Sequence, residues 1–337
     1  MAAAPKIAII GAGLMGPGIA ASAALAGHEV TLADRDPAIA ARAVDVAAGH
    51  IRQLVEGGLV AAEDGRWARA RIQSEADIAR ALGGAFWVIE AITENLALKQ
   101  ALFRFLEENT GADVILTSNT SGLRISDIVR DVKGRGRTAT THFWFPSHLV
   151  PLVEIVMGDG TDEAVAIRLR DILQGWGKAP VIVRRDLPGQ LANRVLQAVI
   201  REATAIVESG LASAEDVDTA IKMGMGLRFP AWGPLEHVDT VGLELCVSVQ
   251  NNVLPGLYNE PRAVPLFERL IAEGNTGAKA GKGFHDWSAR SHADLVAQRD
   301  RFLMQALRFL GRGHPAAAAG SDDGRHGAAV PSQSTST

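Results

Sequence analysis

The run Lys6 to Ile10, KIAII, is apolar almost throughout and stops at a glycine, which is the pattern of a strand buried on both faces. Leu14 to Ala26 is rich in Ala and Leu and reads as a helix, with Pro17 in the first turn, where a missing N–H is tolerated. Gly27 and His28 end it, and Glu29 to Ala33 is a second strand. From Asp36 to Arg71 the apolar residues recur with helical period, and the glycines at 57, 58 and 65 split the stretch into segments. Further strands are expected at Ala85–Ile89, Val114–Thr117, Thr138–Phe143, Leu152–Met157 and Val181–Arg184, with helices near 97–109 and 162–175 among them. Strands that alternate with helices predict a doubly wound, largely parallel sheet.

The texture changes after Pro188-Gly189. Leu191 to Ser209 is one long helical pattern, and helical signals continue through 215–223, 234–253, 263–273 and 291–311. This predicts a Rossmann-like α/β domain over 1–187, an all-helical domain over 188–311, and a disordered tail of Gly, Ala, Ser and Pro over 312–337. The length of 337 residues fits two domains, and 47% apolar residues suffice for their cores. The 34 basic and 38 acidic residues nearly cancel, so nothing points to nucleic acid or an anionic membrane surface. Cys246 is the only cysteine, there is no run long and apolar enough to span a bilayer, and the N-terminus lacks a secretory pattern. A soluble, cytoplasmic protein is expected.

Three glycines, Gly11, Gly13 and Gly16, stand in G-x-G-x-x-G spacing between the first strand and the first helix. That context is what a dinucleotide pyrophosphate needs. The first glycine permits the turn, the second lets backbone approach phosphate, and the third lets helix and strand pack closely. Leu14 and Met15 complete the turn, and the helix start directs free N–H groups at the anion. Asp34 closes the second strand 18 residues after Gly16. A carboxylate there accepts hydrogen bonds from ribose hydroxyls and repels a 2′-phosphate, so NAD is expected rather than NADP, with Arg35 next to it working the other way.

The segment THFWFPSHLVPLVEIV, residues 141–156, carries His142, His148 and Glu154. Pro146 and Pro151 bracket a loop between two strand-like runs. If the runs fold back about residue 148, paired positions sum to 296, and 142 + 154 = 296. His142 and Glu154 then face each other, while His148 sits at the tip. An imidazole held by a carboxylate can take the proton of a hydroxyl as hydride leaves carbon. The same arrangement also suits a satisfied core histidine beside a structural glutamate.

From about residue 6 to 287 the chain resembles the L-3-hydroxyacyl-CoA dehydrogenase family. The resemblance rests on eight ordered pieces: IGAGLMGPGIA, the strand ending at Asp34, VIEAITENLALKQALF, SNTSGL, THFWFPSHLVPLVEIV, DLPGQLANRVL, GPLEHVDTVGLE and GAKAGKGFHDW. It implies an N-terminal NAD domain and a helical C-terminal domain that forms a homodimer. It also implies His142 as catalytic base with Glu154 as its partner. Ser121 and Asn193 would contact substrate, and Glu94, Lys99, Ser121 and Lys279 would lie at the cofactor. The implied reaction is NAD-dependent oxidation of a β-hydroxyl, with a short-chain 3-hydroxyacyl-CoA as the expected substrate.

The chain departs from the family pattern where H-F-F-N-P becomes H-F-W-F-P, so that Phe145 replaces an asparagine, and where the following loop becomes F-P-S-H-L-V-P-L. The P-L-V-E reading is shared by relatives that act without CoA, on carnitine, gulonate or the pyridine compounds of vitamin B6 breakdown. The helical pair at 37–71, which would cover a CoA tail, holds five arginines and no lysine. A free β-hydroxy acid or a hydroxymethyl or formyl pyridine carboxylate is therefore the alternative substrate. The related β-hydroxyisobutyrate dehydrogenases use a lysine, and Lys178 lacks the glycine-rich setting of theirs. A crystallin-like structural protein is the reading least in keeping with these residues.

Overall fold

The structure is a computed structural model and describes residues 4–311. It divides into two units, one of residues up to Gln190 together with those from Asp300 onward, the other Leu191–Arg299. The expected tail at 312–337 lies outside the described residues.

The first unit is built on eight strands: β1 (Ala4–Ile10), β2 (His28–Ala33), β3 (Ile72–Glu75), β4 (Ala85–Glu90), β5 (Ile115–Ser118), β6 (Thr138–Phe143), β7 (Leu152–Val156) and β8 (Ala179–Val183). Their order in the sheet is β3-β2-β1-β4-β5-β6-β7-β8. Every neighbouring pair is parallel except β6 and β7, which form an antiparallel hairpin. Chain order reverses between β1 and β4, and the crevice at such a switch point, beyond the carboxyl ends of the strands, is where open α/β sheets bind ligands.

Both faces of the sheet are covered, which is why its strands read as unbroken apolar runs rather than alternating ones. Ile7 and Ile9 point into a core shared with α1 (Gly16–Leu25), α2 (Pro37–Glu56), α3 (Ala62–Ala70) and α7 (Glu163–Gly175). Ala8 and Ile10 point the other way, towards α4 (Ile78–Leu82), α5 (Leu96–Asn109) and α6 (Ile125–Ile128). Every residue of α1 is buried, and its Gly, Ala and Ser composition is what allows a helix to lie that close to a sheet.

Three features depart from the sequence expectation. The elements β3, α4 and α6, of four, five and four residues, are too short to register as periodic signals. Gly65 does not break a helix but sits inside α3, where a Cβ would stand 2.7 Å from a Val55 methyl, so it is there for close packing. The last helix also divides differently from a boundary at 311, as its second half belongs with the first unit. There Leu307 enters the main core, Asp300 accepts from Gln53 Nε2 at 3.1 Å, and Met304 lies over Gly57.

The second unit is all helical: α8 (Ala192–Glu208), α9 (Ala214–Ala220), a π-helical turn at Ile221–Met225 leading into α10 (Gly226–Arg228), α11 (Pro234–Val241), α12 (Leu243–Val253), α13 (Leu266–Ala272) and the start of α14 (His292–Phe309). The expected helix at 234–253 is broken in two at Gly242, whose φ of 95° no other residue adopts readily. Arg269 clamps α13 to Glu208 at the end of α8. Among the described residues no helix is long and apolar enough to cross a membrane, and no cluster of side chains is fit to hold a metal ion.

Candidate active site

The turn after β1 has the shape its glycines predict. Gly11 has φ 109°, and a Cβ on it would meet the Ala91 carbonyl at 2.5 Å. A Cβ on Gly16 would strike the carbonyl oxygen of Gly11. Gly13 has nothing within 4 Å of that position, so its backbone faces open space, as a phosphate cradle requires. No side chain caps the N-terminus of α1, which leaves its amides free for an anion.

Two cavities open on either side of Gly13. One, of about 430 Å³, is lined by Gly11, Asp34, Arg35, Ile39 and Leu102. The Asp34 carboxylate is held at its edge by the N–H groups of Ala12 and Asp36, both at 3.1 Å. The other, of about 480 Å³, is lined by Leu14, Met15, Glu94, Ser121, His142 and Phe145. Both share Gly13, Ala91, Ile92 and Thr93. Together they form a two-chambered groove across the ends of the strands, with the Asp34 carboxylate at one end and the His142 imidazole at the other. These residues fit a dinucleotide.

The β6–β7 register puts His142 directly opposite Glu154. Nδ1 of His142 lies 2.8 Å from Oε2 of Glu154, and the Glu154 side chain is 0% exposed. A carboxylate only accepts, so Nδ1 carries the proton and Nε2 keeps the lone pair. Trp144 Nε1 donates to the same Glu154 oxygen at 2.9 Å. His148, at the loop, turns elsewhere: its Nε2 donates to Gln53 Oε1 at 2.8 Å and its ring stacks on His50.

Ser121 is held from its backbone. Glu94 Oε1 accepts from the N–H groups of Ser121 and Gly122, each at 3.1 Å, and from the Thr120 hydroxyl at 2.5 Å. Partial burial acts to raise the Glu94 pKa, but the Thr120 hydroxyl, the Lys99 charge and the Gly122 N–H outweigh it and hold the carboxyl below its ordinary range. Lys99, which also lines the cavity, is buried, with Nζ 2.6 Å from Glu90 and 3.3 Å from Glu94. Burial pushes the Glu90 carboxyl up, and the Lys99 ammonium pulls against it. Glu90 also accepts from Ser118 Oγ at 2.5 Å and Ile92 N at 2.7 Å, so it ties the ends of β4 and β5 together.

Gly11, Gly13, Leu14, Met15, Gly16, Asp34, Glu94, Lys99, Ser121, His142 and Glu154 thus all belong to the first unit, on its strands and turns except for Gly16, which opens α1, and Lys99, which lies in α5. Asn193, in the first turn of α8, and Lys279, exposed on the 3₁₀ turn Ala278–Ala280, belong to the second unit. Two participants had escaped the sequence reading, Glu90 and Asn119, whose Oδ1 accepts from Phe143 N at 2.8 Å and fixes the start of the loop; Trp144 reads from sequence as pocket lining or core, without its bond to Glu154. Glu90 had a readable signal, a carboxylate ending an apolar strand. A buried charge of that kind demands a partner.

Comparison with known proteins agrees with this architecture. Residues 6–187 match the family model for the 3-hydroxyacyl-CoA dehydrogenase NAD-binding domain, and residues 189–287 match that for its C-terminal domain. The 5-formyl-3-hydroxy-2-methylpyridine 4-carboxylate 5-dehydrogenase of Mesorhizobium japonicum is 32% identical over 90% of this chain and 98% of its own. A solved structure of a dehydrogenase of that activity superposes with a TM-score of 0.84 at 32% identity, covering 91% of this chain and 98% of the other. The 3-hydroxyadipyl-CoA dehydrogenase of Escherichia coli is 36% identical over 88% of this chain but only 62% of its own longer one. The crystal structure of (S)-3-hydroxybutyryl-CoA dehydrogenase from Ralstonia eutropha gives a TM-score of 0.70 at 30% identity, with 84% and 99% covered.

Proposed function

The chain belongs to the 3-hydroxyacyl-CoA dehydrogenase family and is an NAD-dependent dehydrogenase acting on hydroxyl groups, and from that premise we propose that its substrate is a small free acid without CoA. The class that fits best is an aromatic carboxylate bearing a hydroxymethyl group or the hydrate of a formyl group. The observation that carries this reading is the likeness to the pyridine carboxylate dehydrogenase, which extends over nearly all of both chains and reaches a TM-score of 0.84 against 0.70 for the CoA enzyme. The helical pair α2–α3 supports it: within 37–71 five arginines are offset by Asp45, Glu56, Glu63 and Asp64, a poor surface for CoA phosphates.

In this reading Nε2 of His142 takes the hydroxyl proton while the carbon-bound hydrogen leaves with its electron pair. NAD, when bound, accepts that hydride and so oxidises the carbon by two electrons. Glu154 keeps the His142 tautomer fixed and balances the imidazolium that forms. Ser121, on the turn clamped by Glu94, lines the same chamber. In the reverse direction protonated His142 returns the proton.

A second reading, oxidation of a short-chain 3-hydroxyacyl-CoA, is favoured by the 36% identity to the 3-hydroxyadipyl-CoA enzyme. NAD-linked turnover of 3-hydroxybutyryl-CoA, carnitine, gulonate and hydroxymethyl and formyl pyridine carboxylates separates the two. We expect kcat/KM for a pyridine compound to exceed that for the CoA thioester by about a hundredfold, the scale on which a pocket discriminates by the fit of one extra or missing group. The opposite order would establish the CoA reading instead.

We also propose that the helical unit pairs with a second copy. It leaves Val195, Leu235, Leu243, Leu245, Val247 and Val249 exposed, more apolar surface than a monomer usually shows to water. Sedimentation should give twice the chain mass, and a monomer at assay concentration would rule the pairing out.

A further inference from the structure

We propose that Trp144 is a positioning residue for the acid–base pair: its indole N–H shares the Glu154 oxygen that holds His142, and so sets how strongly that carboxylate holds the proton on the imidazole. This rests on the reading of His142 and Glu154 as the acid–base pair.

The geometry is specific. Oε2 of Glu154 accepts from His142 Nδ1 at 2.8 Å and from Trp144 Nε1 at 2.9 Å. The two rings stand 5.8 Å apart at 53°, so one carboxylate oxygen lies between two ring N–H donors. Glu154 is wholly buried, where a hydrogen bond to a charge weighs more than it does in water. Trp144 directly follows the last residue of β6, two residues after His142, and both ring N–H groups reach the same Glu154 oxygen. The phenylalanine of the family's H-F-F-N-P pattern has no N–H to offer, so this donor is a feature of H-F-W-F-P.

Two consequences follow. The indole fixes the carboxylate rotamer, so that His142 keeps its ring orientation between turnovers. It also takes up part of the Glu154 charge, which weakens the hold on imidazolium and releases the base at lower pH. The other titratable groups on the surrounding elements have partners of their own. Glu94 pairs with Lys99, and Lys99 with Glu90. Lys178 binds the carbonyls of Ser147 and Val150, and His148 binds Gln53. On α7, Glu163 pairs with Arg184 and Arg170 with Asp171, while Arg168 lies over Phe86. The Trp144 indole can be removed without disturbing any of these.

The test is Trp144→Phe, which retains an apolar ring at a place where the family pattern has one. The acid limb of the kcat/KM profile should move up by about 0.5–1 pH unit, and kcat at the optimum should fall about three- to tenfold with KM little changed, the scale of one ordinary hydrogen bond. The downfield proton resonance of His142 Nδ1–H should move in the same variant, a readout independent of turnover. NADH affinity should stay as in the wild type, and the melt should fall only by the few degrees that one buried hydrogen bond is worth. A limb that stays in place or moves down, or an unmoved resonance, overturns the proposal and leaves Trp144 as packing alone. Failure of the underlying reading looks different: His142→Ala would then turn over like the wild type.

Discussion

The hairpin β6–β7 carries a polar cluster at each end, and the two are built on different principles. Between the strands, His142 is paired with a fully buried carboxylate and opens on a cavity of about 480 Å³. Around the loop, His148 is paired with the neutral amide of Gln53, and the carboxylate of Asp300 is one residue further away. His148 lines a space of only about 50 Å³, together with Ser22 and Lys178. An imidazole that is to accept a proton needs a fixed tautomer, compensation for the charge it gains and room for a substrate. The first cluster has all three. The second has a tautomer, space for about one or two waters, and packing. Two histidines six residues apart are therefore not equivalent: one has the setting that the proposed proton transfer requires, and the other holds the loop against α2.

The largest expected effect breaks or confirms that contrast directly. His142→Ala should lower kcat by about 10²–10⁴-fold, the usual worth of a positioned general base, while NADH still binds. His148→Gln should leave kcat within a few-fold but lower the melting temperature, because it disturbs the link to Gln53 and the stack on His50. Steady-state kinetics and a thermal melt on both variants decide it. If His148→Gln loses turnover as severely as His142→Ala, the division of labour drawn here is wrong.

How far each cluster could be read from sequence follows from what constrains it. Antiparallel pairing obliges partners to sum to a constant, so two prolines bracketing a loop were enough to put His142 opposite Glu154. The glycine turn was equally legible, because Gly11 and Gly16 meet backbone atoms that forbid a Cβ. The second cluster depends on long-range packing that no spacing encodes. His148 meets Gln53 from 95 positions away, and Gln53 meets Asp300 from 247. The return of α14 to the first unit was hidden for the same reason. β3 was missed because IQSE is a polar edge strand, paired on one side only, with a single fully buried residue. Trp144 stood in the quoted motif, but whether an indole packs or donates depends on where its nitrogen lies, which is a matter of a side-chain rotamer.

A smaller effect sharpens the contrast from the other side. Lys178 Nζ donates to the carbonyls of Ser147 at 2.5 Å and Val150 at 3.2 Å, and burial lowers its pKa from 10.5 to about 7. The dyad stabilises a charge, whereas this cluster is better served by a neutral amine. Between about pH 7 and 10.5 the unfolded chain holds a proton on Lys178 that the folded chain has released, so folding stability contributed by this group rises with pH through that window. Lys178→Met removes the titration and, at every pH, the two hydrogen bonds. The difference in melting temperature, wild type minus variant, should therefore increase by several degrees from pH 7 to pH 9.5, whatever its sign at the start. The hydrogen bonds shift that difference by a constant, and only the proton gives it a slope. A flat difference across the window would mean that Lys178 keeps its charge when folded, so that the second cluster, like the first, stabilises an ion.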